Sequence, residues 1–224
     1  MRFKAAVFDI DGTILDSMTV WRNIASRYLS GRGITPEEDL EEKIAPMHLA
    51  QGSAYLKERY LLPESAEEIS EAVLSMGRRA YETDVTLKRG ARDFLRMLSD
   101  RGIPICLATS GSADLSGEAL ERLGVRSLFR GLLSCDDTGC GKADAGIYLR
   151  AAELLGNAPH ETAVFEDSLY ALSAAAAAGF ITVGVEDADN IKDREKIIRT
   201  ADYYLRSFEP SGDPTVCLLI DGNL

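Results

Sequence analysis

Short apolar runs and segments with helical periodicity alternate along most of this chain. Apolar runs typical of buried strands occupy residues 5–10, 103–108, 131–134, 163–165 and 181–185. From the second run onward, helical patterns separate them at 90–101, 114–123, 144–155 and 169–178. Each helical pattern stops at a glycine, which is a typical end of a helix. Strands that alternate with helices predict a Rossmann-like, doubly wound α/β core with a parallel sheet.

The long segment between the first two predicted strands shows no strand signal. Amphipathic helical patterns fill it, and capping-box patterns at residues 35–38 and 65–68 predict two helix starts. Pro36 would take the first helical position in one of them. We therefore expect a helical cap at residues 17–85, inserted into a catalytic core formed by residues 1–16 and 86–224.

The cap is expected to lie over a binding crevice, because ligands of α/β sheets bind beyond the carboxyl ends of the strands. The C-terminal tail has one further apolar run, at residues 216–220, which we interpret as an edge strand.

Composition restricts the class of partner. The formal net charge of −11 argues against nucleic acid and anionic membranes, because no basic patch would release counterions. The first apolar stretch is too short and too soon acidic for a signal peptide or a membrane span, so we expect a cytoplasmic protein. The four cysteines form no CxxC pair and are interpreted as reduced thiols. We expect a monomer or a weak dimer.

Polar residues follow the predicted strands at their carboxyl ends. In chain order these are Asp9 and Asp11, then Thr109, Ser110 and Gly111, then Lys142, and finally Glu166 and Asp167. A parallel sheet brings all of them to one edge. Four carboxylates in one crevice repel each other unless a cation is bound, and oxygen ligands favour Mg²⁺.

Such a crevice suits a phosphate group once the metal is bound. Thr109 can donate a hydrogen bond to a phosphoryl oxygen, Lys142 supplies a positive charge, and backbone N–H groups after Asp9 and Thr109 complete an anion site. One carboxylate can then attack phosphorus while its neighbour acts first as general acid and then as general base. The sequence therefore favours phosphoryl transfer.

These motifs resemble those of the haloacid dehalogenase-like hydrolase superfamily. Residues 9–17 read DIDGTILDS and resemble its first motif, and the matches to the other three are Thr109, then Gly141 with Lys142, then Glu166, Asp167 and Ser168. The resemblance extends from Phe3 to about Leu205. The helical insert is similar to the cap of the β-phosphoglucomutase-like branch.

The resemblance implies a role for each residue. Asp9 would be the nucleophile that forms an aspartyl-phosphate, and Asp11 would protonate the leaving oxygen and later activate water. Mg²⁺ would be held by Asp9, the backbone carbonyl of Asp11 and Asp167, with Glu166 as an additional ligand or support. Lys142 would bridge the phosphate and the carboxylates.

Further residues are candidates for substrate binding or for structure. The candidate substrate contacts are Ser110 and Gly111 in the core, with Trp21 and His48 in the cap. Asp16 and Ser17 are interpreted as helix-capping and hinge residues rather than catalytic ones.

Three functions remain open. The first is a phosphatase acting on a small phosphate ester, such as a sugar phosphate or similar metabolite. The second is a β-phosphoglucomutase-type mutase, which residues 44–49 disfavour because their sequence, IAPMHL, lacks the arginine of the mutase specificity loop. The third and most distant is a phospho-accepting receiver domain, against which Asp11 and the insert argue. We favour the phosphatase.

Overall fold

A computed structural model describes residues 3–221 of the chain. Within them the strands are β1 (Ala5–Phe8), β2 (Leu15–Asp16), β3 (Thr86–Leu87), β4 (Ile105–Thr109), β5 (Gly131–Ser134), β6 (Thr162–Glu166), β7 (Ile181–Val185) and β8 (Tyr203–Leu205). Six of these strands form a parallel sheet in the order β5-β4-β1-β6-β7-β8, while β2 and β3 form a separate antiparallel pair. The predicted doubly wound α/β core is confirmed.

Helices fall into two groups along the chain. Between β2 and β3 lie α1 (Met18–Trp21), α2 (Ile24–Ser30), α3 (Leu40–Ile44), α4 (Leu49–Tyr60) and α5 (Ala66–Thr83). After β3 follow α6 (Ala91–Asp100), α7 (Ala113–Arg122), α8 (Cys135–Thr138), α9 (Gly146–Leu155), α10 (Leu169–Ala177), α11 (Arg194–Thr200) and α12 (Pro214–Asp221). We keep the name cap for residues 17–85, and the boundaries of this division stay a prediction.

The central strands are apolar throughout because the sheet is covered on both faces. In β1, Phe8 points into the cluster that contains α6 and α7, while Val7 points into the cluster that contains α9. Phe8 stacks on Phe165 of β6, with 4.1 Å between the ring centroids. Replacing a buried phenylalanine of this kind by alanine costs about 3–5 kcal/mol of unfolding free energy.

The cap has its own apolar cluster and a direct connection to the core. Buried side chains from α2 to α5, including Tyr28, Leu29 and Ile69, form the cluster. The connection is made by Arg122 of α7, which donates hydrogen bonds to the backbone carbonyl of Tyr81 at 2.9 and 3.1 Å and to that of Val85 at 2.5 Å. The end of α5 is therefore held against the core.

One of the two predicted helix starts in the cap is confirmed and the other is wrong. Ser65 and Glu68 form the expected capping box at the start of α5, with reciprocal hydrogen bonds of 2.7 and 3.1 Å. No helix begins at residues 35–38, and α3 starts only at Leu40. Glu37 makes tertiary contacts instead of a capping hydrogen bond. Its backbone N–H donates to Tyr60 Oη at 3.0 Å, and its carboxylate pairs with Lys43.

The predicted edge strand at residues 216–220 is wrong, because this segment lies in α12. Asp213 accepts a hydrogen bond from the backbone N–H of Thr215 at 2.8 Å, and Pro214 takes the first helical position. Val216 and Leu219, spaced for one face of a helix, pack into the core. The sheet edge is formed by β8, which the sequence pattern did not reveal.

Two smaller observations complete the fold. All four cysteines are free thiols, as predicted, and Cys106 and Cys135 are buried. Within residues 3–221, no helix combines the length and the apolar character needed to cross a bilayer.

Candidate active site

The register of the central strands brings the predicted motifs to one edge of the sheet. Phe8, the last residue of β1, lies opposite Leu107 of β4 and Phe165 of β6. Asp9 follows it, and its backbone N–H donates to the carbonyl of Phe165 at 3.0 Å. The side chains that end these strands, at Asp9, Thr109 and Glu166, therefore lie side by side, and all are buried.

Lys142 lies between two carboxylates. Its Nζ atom contacts Asp9 Oδ1 and lies 2.6 Å from Glu166 Oε1. Glu166 also accepts hydrogen bonds from Tyr148 Oη at 2.8 Å and from the backbone N–H and Oγ of Ser168, both at 2.9 Å. Glu166 Oε1 is thus shared by Lys142 and Tyr148, so this residue holds Lys142 in place.

The charges of Lys142, Asp9 and Glu166 stabilise one another. Burial opposes the charge of Lys142, but Asp9 and Glu166 raise its pKa well above the ordinary value, so it stays protonated. Burial also acts to raise the pKa of Glu166, but the charge and the hydrogen bond of Lys142 hold it below its ordinary value. Removing one partner of such a buried ion pair typically costs about 3–5 kcal/mol.

Three carboxylates at this edge could hold a cation. Asp9, Glu166 and Asp167 each offer one oxygen, and these oxygens lie within 4.8 Å of one another. Asp9 Oδ2 is buried and has no hydrogen-bond partner. Burial raises the pKa of Asp9 to about 7, and burial together with the charges of Glu166 and Asp9 raises the pKa of Asp167 well above its ordinary value. An unpartnered carboxylate oxygen in an oxygen-only cluster fits a hard divalent cation such as Mg²⁺.

The loop after β1 approaches Asp167 closely. Gly12 has a φ angle of +86°, and a Cβ atom at this position would overlap the carboxylate of Asp167. Asp167 is held in place by Asn190, whose Nδ2 donates to Oδ2 at 2.6 Å. Only glycine satisfies both the backbone conformation and the available space here.

Asp11 is held by residues from the hinge and the cap. Its Oδ1 atom accepts hydrogen bonds from Ser17 Oγ at 2.6 Å and from Tyr81 Oη. Trp21 Nε1 in turn donates to Tyr81 Oη at 2.6 Å. Ser17 takes the N-cap position of α1, as its interpretation as a helix-capping residue requires, but its side chain donates to Asp11 and makes no capping hydrogen bond.

The second oxygen of Asp11 lies near Thr109 and Gly111. A Cβ atom placed on Gly111 would lie 3.4 Å from Asp11 Oδ2 and 3.3 Å from Thr109 Oγ1. The hydroxyl of Thr109 accepts the backbone N–H of Gly111 at 2.9 Å. One carboxylate oxygen of Asp11 is therefore fixed by donors, while the other lies beside the predicted phosphate-binding residues.

A cavity of about 630 Å³ lies between the cap and the carboxyl edge of the sheet. It is lined by all the predicted site residues except His48, namely Asp9, Asp11, Trp21, Thr109, Ser110, Gly111, Lys142, Glu166 and Asp167. His48 lines a smaller cavity of about 310 Å³, which Lys142 also lines, and its Nδ1 atom contacts Asp136.

Three residues of this site were missed at the sequence level. Tyr81 and Tyr148 lie on helices and carry no local signal that separates them from packing residues. Asn190 follows β7, and a search for polar residues beyond the carboxyl end of every predicted strand would have found it.

A parallel sheet with carboxylates and a buried lysine at its carboxyl edge, covered by helices, is the arrangement of the haloacid dehalogenase-like hydrolases. A sequence model of the haloacid dehalogenase-like hydrolase family matches residues 3–179, and the chain belongs to this family. The resemblance inferred from the motifs, and the assignment as an enzyme, are thereby confirmed.

Relatives of the chain are named phosphatases. It is 29% identical over 176 residues to the phosphorylated carbohydrates phosphatase of Thermotoga maritima, covering 79% of this chain and 82% of the relative. It is 28% identical over 217 residues to hexitol phosphatase A of Escherichia coli strain K12, covering 95% and 98%. The crystal structure of β-phosphoglucomutase from Clostridium difficile has the same fold, with a TM-score of 0.77 at 18% identity and 98% coverage of each chain.

Proposed function

We propose that this enzyme is a magnesium-dependent phosphatase that hydrolyses a small phosphate monoester, a sugar phosphate or similar metabolite, through an aspartyl-phosphate on Asp9. The observation that carries the proposal is the state of Asp9, which lines the cavity. One of its oxygens is held by Lys142, and the other is buried without a partner. The unpartnered oxygen would take Mg²⁺, so the oxygen beside Lys142 is the one proposed to attack phosphorus.

The residues of the chain account for both halves of the reaction. A carboxylate oxygen of Asp9 attacks phosphorus, the bond from phosphorus to the ester oxygen breaks, and Asp11 gives its proton to the departing alkoxide. Asp11 then takes a proton from water, water oxygen bonds to phosphorus, and the bond between Asp9 and phosphorus breaks. Thr109 and Lys142 bind the phosphoryl oxygens throughout.

The metal would be held by Asp9, Asp167 and the backbone carbonyl of Asp11, with Glu166 acting as the support of Lys142. When bound, Mg²⁺ offsets the negative charge that carboxylates and phosphate bring together. The named relatives support a small phosphorylated substrate, since one is a phosphatase of phosphorylated carbohydrates and another of hexitol phosphates. A cytoplasmic location and a monomeric or weakly dimeric state stay predictions.

The mutase alternative is less well supported by the cavity. A mutase must bind a second phosphate, which needs cationic side chains. Among the described residues that line the cavity, Arg22 and Lys192 are the cations besides Lys142, and they pair with Asp189 and Glu42. Supplying β-glucose 1-phosphate with a trace of the 1,6-bisphosphate tests this point. Isomerisation that outpaces phosphate release would favour the mutase.

The direct test measures inorganic phosphate released from a panel of monophosphates with Mg²⁺. Asp9→Asn should lower turnover by at least about 10³-fold, because the attacking oxygen is lost. Asp93→Asn is the matched control, since Asp93 is exposed on α6 and does not line the cavity. Retention of a tenth of the wild-type rate by Asp9→Asn would refute the nucleophile assignment.

A further inference from the structure

We propose that the natural substrate is a monophosphate whose leaving group is uncharged and largely apolar, an alkyl or aryl alcohol, rather than a polyol or a bisphosphate. This inference rests on the proposed phosphatase chemistry but narrows its substrate class: among small monoesters it favours an apolar alcohol over the sugar and hexitol esters that the names of the relatives suggest. Its basis is a contrast between two surfaces of the cavity. The polar floor, formed by Asp9, Thr109, Lys142 and Asp167, is where the phosphate is expected, and the cap presents an apolar wall.

The wall on the cap side consists mainly of hydrocarbon. Its apolar lining residues, besides Trp21, include Met18, Ile44, Met47, Leu49, Val73 and Leu74. Trp21 adds only ring carbons, because its one polar atom, Nε1, is already bonded to Tyr81 Oη at 2.6 Å. The hydroxyl groups of a polyol placed against this wall would lose water without gaining hydrogen-bond partners.

Polar side chains of the cap lie at the exposed margin of the cavity. Arg22, Asn23 and Glu42 line the cavity and are exposed to solvent. Each cationic side chain at this margin forms an ion pair with a carboxylate. Arg22 Nε lies 3.0 Å from Asp189 Oδ1, and Lys192 Nζ lies 2.7 Å from Glu42 Oε1.

A second phosphate would meet unfavourable charge in this place. The lining residues of the margin include a third carboxylate, Glu41, which accepts a hydrogen bond from Ser26 Oγ at 2.8 Å. The carboxylates at the margin are those of Glu41, Glu42 and Asp189. They outnumber the two cations, Arg22 and Lys192, which are already paired. A bisphosphate would have to break an ion pair to gain a partner, whereas an uncharged leaving group would leave both pairs intact.

The size of the cavity suits a leaving group of moderate size. Its volume of about 630 Å³ lies within the range of cavities that enclose whole small-molecule ligands. A phosphate bound beside Asp9, Thr109 and Lys142 would leave the apolar wall to contact the alcohol. Burial of that alcohol against the wall supplies the binding free energy that selects it.

Three esters of matched reactivity test the inference. Hexyl phosphate, hexitol 6-phosphate and hexane-1,6-diyl bisphosphate all release a primary alkoxide, and they differ mainly in polarity and charge. We expect kcat/KM for hexyl phosphate to exceed that for each of the other two by about tenfold or more. p-Nitrophenyl phosphate, whose good leaving group makes few demands on binding, reports whether the enzyme is a phosphatase at all.

Two methionine variants test the role of the cap wall. Met47→Gln keeps side-chain length but places an amide on the wall, so the ratio of kcat/KM for hexyl phosphate over hexitol 6-phosphate should fall at least about threefold. Met76→Gln is the matched control, because Met76 lies on α5, is 37% exposed and does not line the cavity. This control should leave the ratio unchanged.

The outcomes separate the two proposals. If p-nitrophenyl phosphate and every other ester stay intact with Mg²⁺, the phosphatase proposal and the inference fail together. If p-nitrophenyl phosphate is hydrolysed but hexitol 6-phosphate or the bisphosphate matches hexyl phosphate, the inference alone is overturned. An unchanged ratio in Met47→Gln, or an equal fall in Met76→Gln, also overturns it.

Discussion

Tyr81→Phe removes a single hydroxyl from the contact between the cap and Asp11, the proposed general acid. Tyr81 lies on α5 and is 1% exposed, and its Oη atom donates to Asp11 Oδ1 while it accepts from Trp21 Nε1. Burial and the charge of Asp11 raise the pKa of Tyr81 well above its ordinary value, so the phenol stays protonated and remains a donor. Because this donor holds one oxygen of Asp11, it directs the other oxygen toward the crevice.

The size of the effect follows from this contact. A hydrogen bond to a charged group contributes about 1.5–3 kcal/mol, which corresponds to a rate factor of about 10- to 100-fold if it is lost only in the transition state. Ser17 still holds the same oxygen, so we expect the low end of this range. Catalysis by Asp11 matters most when the leaving alkoxide is basic.

The assay compares turnover of hexyl phosphate with that of p-nitrophenyl phosphate, whose leaving group needs little protonation. Tyr81→Phe should slow hexyl phosphate about tenfold or more and p-nitrophenyl phosphate much less. Tyr204→Phe is the matched control, because Tyr204 Oη donates to Glu186 Oε2 at 3.1 Å and does not line the cavity. Thermal unfolding verifies that both variants are folded. Equal slowing of both esters, or a change within twofold for hexyl phosphate, would refute a positioning role.

Three further predictions concern the core residues. Asp11→Asn should reduce hydrolysis of alkyl phosphates by at least about 10²-fold while sparing p-nitrophenyl phosphate, and full activity on both would rule out the acid role. EDTA should abolish activity reversibly, and Asp167→Ala should raise the Mg²⁺ concentration needed for half-maximal rate, which a metal titration measures; a metal-free rate equal to the wild-type rate would contradict the proposal. Lys142→Ala should raise KM for phosphate esters and lower the unfolding free energy by about 3–5 kcal/mol, because Asp9 and Glu166 lose their shared partner; unchanged values would place Lys142 outside the site.

The core of the fold could be predicted from local patterns. The sequence shows each of the five predicted strands as a short apolar run, because a parallel sheet buried on both faces requires apolar side chains at nearly every position. The short strand β8 is partly exposed on one edge, and its pattern carries no comparable signal. The apolar run of α12 predicts a strand because five apolar residues in a row fit either structure, and only Asp213 and Pro214 mark the helix start.

The floor of the candidate site could be predicted for a related reason. Chain order and parallel pairing are enough to place Asp9, Thr109 and Glu166 at one edge, since the carboxyl ends of parallel strands always meet there. The same argument would have reached Asn190. By sequence alone, therefore, the chain determines five strands of its sheet and the edge at which the polar residues that follow them meet.

Tertiary structure decided which partner each of these residues has. Tyr81 reaches Asp11 across 70 positions, and Lys192 pairs with Glu42 across 150. No local pattern contains such contacts, because they depend on how the cap helices pack against one another and against the core. The same packing turns apolar cap residues such as Met47 toward the cavity and leaves Met76 on the outer surface. Helical periodicity shows that a helix has an apolar face, but only the packed structure determines what that face contacts.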